Sequence, residues 1–215
     1  MTQPIILFDI DFTLFDTDIF MYARDAYLAK LLQKDLKIAV NYRVEYFQTL
    51  TNRREFDPKE FCQFIAVNEY ISATTLYQQM YEEKSLYQQA LYPEVKEVLT
   101  KFQKQNYQIG IFSEGIESFQ LNKLRFCEIF DFFDSEYIII FADKTTPEAL
   151  VSLPSQAWIV DDKSEILEKI AAIRQDLKLI LIKRQKIAST KTFIKTNDKQ
   201  LNRAFTIINN LSEIN

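Results

Sequence analysis

Five short apolar runs constrain the fold of this chain more than any other feature. They lie at residues 4–8 (PIILF), 107–112, 137–141 (YIIIF), 157–160 (AWIV) and 177–182. A strand with one wet face alternates apolar and polar residues, whereas a strand buried on both faces of a parallel sheet reads as a near-continuous apolar run. Most of these runs are of the second kind. Between the later ones lie helical spacings over residues 93–105, 116–126 and 164–174, the first opened by Pro93 and the last by a capping Ser164. Strand and helix in alternation predict an α/β fold with a Rossmann-like parallel sheet and crossover connections.

The alternation stops after the first strand. Residues 17–90 contain no glycine and only Pro58, and apolar residues recur at helical intervals throughout. Helices are expected at 18–40, 42–51, 58–68 and 72–83. The organisation that follows is an α/β core built from 1–16 and 91–215, with an all-helical domain of residues 17–90 inserted after the first strand.

Composition removes several chemistries. The chain has no histidine, so a Ser-His-Asp triad, a Cys-His pair and a His-ligated metal are all excluded. Catalysis must rest on carboxylates, amines and hydroxyls. Cys62 and Cys127 lack metal-ligand spacing and are too few for a disulfide framework, so they are expected as buried thiols in a reducing compartment. No basic region precedes an early apolar run, and no run approaches the ~20 residues of a membrane helix; a cytoplasmic location and no membrane partner are expected. The net charge of −4 names no partner.

Asp9 and Asp11 stand just past the first apolar run, where a parallel sheet opens its binding crevice. Two carboxylates one residue apart at a strand end repel unless a cation lies between them. Mg²⁺ suits the position, being hard, oxygen-seeking and able to keep open positions for a phosphate. The simpler alternative is that the pair caps the next helix.

The stretch DIDFTL after an apolar strand resembles the first motif of the haloacid dehalogenase superfamily, most of whose members are phosphatases with an aspartate nucleophile and Mg²⁺. Its other motifs find counterparts in order: Ser113 in IGIFSEG, Lys144 in FADKTTPEAL, and Asp161 with Asp162 in WIVDDKSEIL. The segment LYPEVKEVLTKFQKQNYQIGIFSEG resembles the helix and strand that follow a helical cap, and FTIINNLSEI resembles the closing strand and helix. The likeness covers nearly the whole chain.

The resemblance implies a role for each residue. Asp9 is the nucleophile that becomes an aspartyl-phosphate, and Asp11 is the acid and base. Ser113 and the backbone around Glu114 and Gly115 hold phosphate oxygens, and Lys144 balances charge. Asp9, Asp161 and the backbone carbonyl of Asp11 bind Mg²⁺. Thr13 steadies the first loop, and Asp162 or Glu165 supplies an acid behind the metal. The implied activity is hydrolysis of a small phosphorylated metabolite, with nucleic acid not expected as a partner. Alternatives of the same fold are a non-catalytic protein binding a phosphorylated ligand or nucleic acid, and a phosphotransferase or mutase.

Three positions depart from the family. Phe12 stands where glycine is usual, so the turn must differ or carry strain. Val160 precedes Asp161 in place of glycine. Thr145 and Thr146 separate Lys144 from Pro147, which leaves Lys163 as a fallback for the phosphate lysine. In the helical insert Tyr22, Arg24, Tyr42, Arg43, Arg53 and Arg54 are candidate substrate contacts by residue type. Residues 178–203 carry eight basic residues against Asp198 alone, read as a solvated face or an attraction for an anionic substrate.

Overall fold

The computed structural model describes residues 3–50, 55–184 and 205–214. The chain divides into two compact units. One comprises Met1–Asp16, Leu91–Glu114 and Ile129–Asn215, the other Thr17–Ala90 and Gly115–Glu128.

The first unit is built on a six-stranded sheet in the order β3-β2-β1-β4-β5-β6, with every neighbouring pair parallel. The strands are β1 (Ile5–Phe8), β2 (Gln108–Glu114), β3 (Ile138–Phe141), β4 (Trp158–Asp161), β5 (Lys178–Ile182) and β6 (Thr206–Ile208). All five apolar runs therefore become strands. Successive side chains of β1 point to opposite faces, and Ile6, Leu7 and Phe8 are all fully buried because both faces are covered. On the Leu7 face, helices α8 (Pro147–Ser152) and α9 (Ser164–Ile173) supply Ala149, Leu150, Ile166, Leu167 and Ile170 to a core shared with Ile159, Leu179 and Leu181. On the Phe8 face lies α6 (Val95–Lys104), whose Phe102 meets the Phe8 ring edge-on at 6.1 Å. Gly110 is required by packing: a Cβ there would lie 2.4 Å from the Tyr137 carbonyl oxygen and 2.6 Å from Leu7 Cδ2.

The strand order reverses at β1, whose neighbours β2 and β4 continue in opposite directions along the sheet. Such a switch point leaves a crevice beyond the carboxyl ends of the central strands. Asp9, Ser113 and Asp161 stand at those ends because the apolar runs terminate there.

The second unit holds α1 (Thr17–Leu32), α2 (Leu36–Thr49), α3 (Pro58–Glu69), α4 (Ala73–Tyr81), α5 (Lys84–Gln88) and α7 (Glu117–Phe126). Several boundaries differ from the sequence expectation, and the break expected between residues 40 and 42 is absent because α2 runs unbroken over Leu36–Thr49. A single helix over 18–40 is broken because Gln33 adopts φ 52° and the Asp35 side chain caps a new helix at the Lys37 amide. The helix expected over 72–83 ends at Tyr81, and Glu83 caps α5 through the Ser85 amide. Chain position places residues 115–128 in the α/β part, yet they pack with the helices. Phe119 lies against Phe20, Phe56 and Tyr81, and Cys127 Sγ reaches the Tyr87 carbonyl at 3.3 Å. Aromatic burial decides this, and chain position does not reveal it. No helix among the described residues is long and apolar enough to cross a membrane.

Candidate active site

The Asp9 carboxylate leaves the end of β1 almost wholly buried, and its amide donates to the Val160 carbonyl at 2.9 Å, carrying the β1–β4 pairing one residue further. Lys144 Nζ donates to Asp9 Oδ1 at 2.8 Å and lies 2.6 Å from Asp161 Oδ2, an ion pair poorly aligned for a hydrogen bond. The Lys144 side chain is fully buried. Burial opposes its charge, but Asp161 and Asp9 outweigh that effect and hold the ammonium raised above its ordinary pKa. The interposed threonines do not prevent this reach. Thr146 caps α8 by accepting from the Ala149 amide at 3.3 Å and Pro147 takes the first helical turn, while Asp143 accepts from the Thr145 amide and hydroxyl.

Asp9, Asp161 and Asp162 each present a carboxylate oxygen, all within 4.8 Å of one another. Burial, followed by the effect of Lys144 in the opposite sense and of Asp9, pushes Asp161 up to about 6. Burial and then the charges of Asp161 and Asp9 raise Asp162 well above its ordinary value. Asp162 Oδ1 is buried with no hydrogen-bond partner among the described residues. Buried carboxylate oxygens in excess of the available ammonium, one of them unpartnered, form a hard-oxygen donor set that fits a divalent cation such as Mg²⁺.

The remaining sequence candidates divide clearly. Ser113 is buried on β2, and its hydroxyl oxygen, like that of Thr13, has no hydrogen-bond partner among the described residues. Asp11 is half-buried in the loop after β1, and its carboxylate is not one of the three in the cluster. Lys163 pairs with Glu114 at 3.1 Å and remains partly exposed, so the lysine bridging Asp9 and Asp161 is Lys144. Glu165 is exposed on the first turn of α9, apart from the cluster that contains Asp162. Gly115 belongs to the second unit and adopts φ 127°, a region that favours glycine. Phe12 adopts φ 56°, so the loop keeps a left-handed turn despite carrying phenylalanine. The strained alternative is the one realised.

Sequence inspection missed how the loop after β1 is held. The Leu14 and Phe15 amides donate to the Ile10 carbonyl, and the Phe12 amide donates to the Phe15 carbonyl at 2.7 Å. Arg184, two residues beyond β5, donates from Nη2 to the Thr13 carbonyl at 2.6 Å and ion-pairs with Glu94. In the basic stretch, residues 185–203 lie outside the described residues.

Three candidate contacts in the helical unit, Arg24, Tyr42 and Arg43, are engaged internally. Arg24 is buried, bonds Asp25 and the Tyr81 hydroxyl, and lies 5.0 Å from the centres of the Phe56 and Phe61 rings. Arg43 bonds Asp25 at 2.6 Å and the Tyr42 hydroxyl bonds Glu69, while Tyr22 is exposed. Arg53 and Arg54 lie outside the described residues.

A doubly covered parallel sheet with a buried Asp-Lys-Asp bridge at its switch point defines an α/β protein equipped for carboxylate chemistry. Residues 6–163 match the family described as haloacid dehalogenase-like hydrolase. The chain belongs to that family. No curated protein matches it by sequence. Among solved structures it is similar to a haloacid dehalogenase-like hydrolase from Burkholderia xenovorans LB400, with 17% identity, a TM-score of 0.75, and coverage of 99% of this chain and 94% of that one. A HAD phosphatase from Thermococcus onnurineus gives 18%, 0.60, 98% and 95%. A defluorinating L-2-haloacid dehalogenase gives 20%, 0.58, 84% and 81%. These likenesses extend the fold and leave the reaction open among the family's chemistries.

Proposed function

We propose that this hydrolase is a Mg²⁺-dependent phosphatase acting on a small phosphorylated metabolite through an aspartyl-phosphate, in the cytoplasm, with residues 17–90 serving as its helical cap. The observation that carries the proposal is Asp9 joined through buried Lys144 to Asp161, with the unpartnered oxygen of Asp162 in the same cluster. Asp9, Asp161 and the Asp11 carbonyl would hold Mg²⁺, with Asp162 as the supporting acid in preference to exposed Glu165. The ion, when bound, supplies positive charge to the transferring phosphoryl group.

The chain's own residues do the rest. Asp9 attacks phosphorus, and the bond from phosphorus to the ester oxygen breaks. Asp11 gives its proton to the departing oxygen, then takes a proton from the water that attacks the aspartyl-phosphate and releases Asp9 and inorganic phosphate. Lys144 offsets charge on Asp9 and on the phosphoryl oxygens. Ser113, whose hydroxyl has no hydrogen-bond partner among the described residues, and the Glu114 amide receive phosphate oxygens. Thr13 steadies the loop from behind.

Asp11 also argues against dehalogenation, since a departing halide needs no proton. An aryl phosphate assay with and without EDTA, run beside halide release from a 2-haloacid, separates the two. Metal-dependent phosphate release abolished by Asp9→Asn is expected. Halide release, or phosphate release that persists in EDTA, would overturn the proposal.

A further inference from the structure

We propose that Arg184 is a positioning residue for the reaction: its guanidinium fixes the loop that carries Asp11. The role of Asp11 rests on the phosphatase reading, whereas the clamp itself rests on geometry.

The loop between β1 and the helical unit folds back on itself and meets the segment that opens the return to the α/β core, through the Tyr92 amide on the Leu14 carbonyl and a bridge from Phe15 to Leu91. Within it, the amides of residues 13–15 donate to the Ile10 carbonyl and the Phe12 amide to the Phe15 carbonyl. It also contains Phe12 at φ 56°, a conformation that an L side chain leaves readily unless its surroundings prevent it. Asp11 is the residue immediately before that strained position.

Arg184 supplies an external restraint. Nη2 donates to the Thr13 carbonyl at 2.6 Å, Nη1 pairs with Glu94, and the guanidinium carbon lies 3.8 Å from the centre of the Tyr92 ring. The Arg184 side chain is 8% exposed and Glu94 12%, so water has little access to replace either bond. Each partner is anchored in turn. The Tyr92 amide donates to the Leu14 carbonyl at 3.1 Å, and the neighbouring Lys183 amide donates to Ile208 of β6 at 2.8 Å. One planar fork thus ties the Thr13 peptide to the sheet edge and to the start of α6. Glu94 cancels the charge, so the group acts through geometry and not by drawing in anions. Lysine has neither the fork nor the flat face to make all three contacts.

The test compares Arg184→Met and Arg184→Lys with the unaltered chain, with Glu94→Gln as a milder variant should Arg184→Met fail to fold. Hydrogen exchange of the amides of residues 12–15 is expected to accelerate about tenfold or more in Arg184→Met and less in Arg184→Lys, with β4 amides unchanged. In turnover, release of alcohol from an alkyl phosphate is expected to fall about tenfold or more, and the first step on an activated aryl phosphate less than about threefold, because only the former needs a well-placed proton donor. Unchanged exchange in the loop overturns the clamp. Faster exchange with equal losses on both leaving groups overturns the positioning of Asp11. If the unaltered chain hydrolyses no phosphoester, the phosphatase reading fails by itself, and the exchange measurement still decides whether Arg184 holds the loop.

Discussion

Replacing Lys144 with methionine removes the cation that bridges Asp9 and Asp161, and the consequence can be worked out. Lys144 is fully buried and makes two close contacts, at 2.8 and 2.6 Å. Breaking a buried ion pair by deleting one partner generally costs about 3–5 kcal/mol, because the other charge is left without compensation. An upper bound comes from protonation: holding one aspartate of ordinary pKa neutral at about pH 7.5 costs roughly 5 kcal/mol, at about 1.4 kcal/mol per pH unit. The sign follows from the direction of the shift. Burial already raises the Asp161 carboxyl and Lys144 is what opposes that rise, so without the lysine the contribution of Asp161 to stability is present at low pH and lost as pH rises through its folded value. Lys144→Met is therefore expected to lose about 3–5 kcal/mol at about pH 7.5 and only about 1–2 kcal/mol at about pH 5.5. Urea unfolding followed by circular dichroism in EDTA at the two pH values measures this. Saturating Mg²⁺ should return part of the loss, about 2.7 kcal/mol at a hundredfold excess over Kd. A loss below about 1 kcal/mol at the higher pH, or equal losses at both, would refute the view that this lysine compensates a buried carboxylate cluster.

Phe12→Ala and Phe12→Gly isolate the strain at φ 56°. At ordinary φ alanine is the more stable by about 0.5–1 kcal/mol, but here the left-handed penalty of about 1–2 kcal/mol should make Phe12→Gly the more stable of the two, as read from urea midpoints. Gly110→Ala should destabilise the protein by about 1–3 kcal/mol, since its Cβ would overlap backbone at Tyr137; an unchanged midpoint would show that β2 and the Tyr137 turn can separate freely. Mg²⁺ affinity should fall as pH drops below about 6, where Asp161, raised chiefly by burial, takes up a proton that competes with the ion. Calorimetric titration with Mg²⁺ in two buffers of different ionisation heat should show proton release near that pH, and Asp162→Asn should bind the ion more weakly at about pH 7.5.

The sequence alone was sufficient for the strands, the parallel sheet and the family, because those properties are written locally. A strand buried on both faces must be apolar without interruption, as residues 5–8 and 138–141 are, and reactive groups at strand ends must follow such runs, as Asp9, Ser113 and Asp161 do. Helix ends were less legible, because the apolar spacing of α1 and α2 continues across Gln33 and only the capping contact of Asp35 separates them. Some questions could be settled only by distances between residues far apart in the chain. Lys144 rather than Lys163 bridges Asp9 and Asp161, and Asp162 rather than Glu165 joins the carboxylate cluster. Residue type predicts neither choice, since a lysine or an aspartate has the same local signature whether it is solvated or buried. The union of Arg184 with Thr13 across 171 positions is of the same kind. Periodicity records which face of an element is buried; which polar groups meet at the end of the sheet depends on strand order, and strand order exists only once the chain has closed on itself.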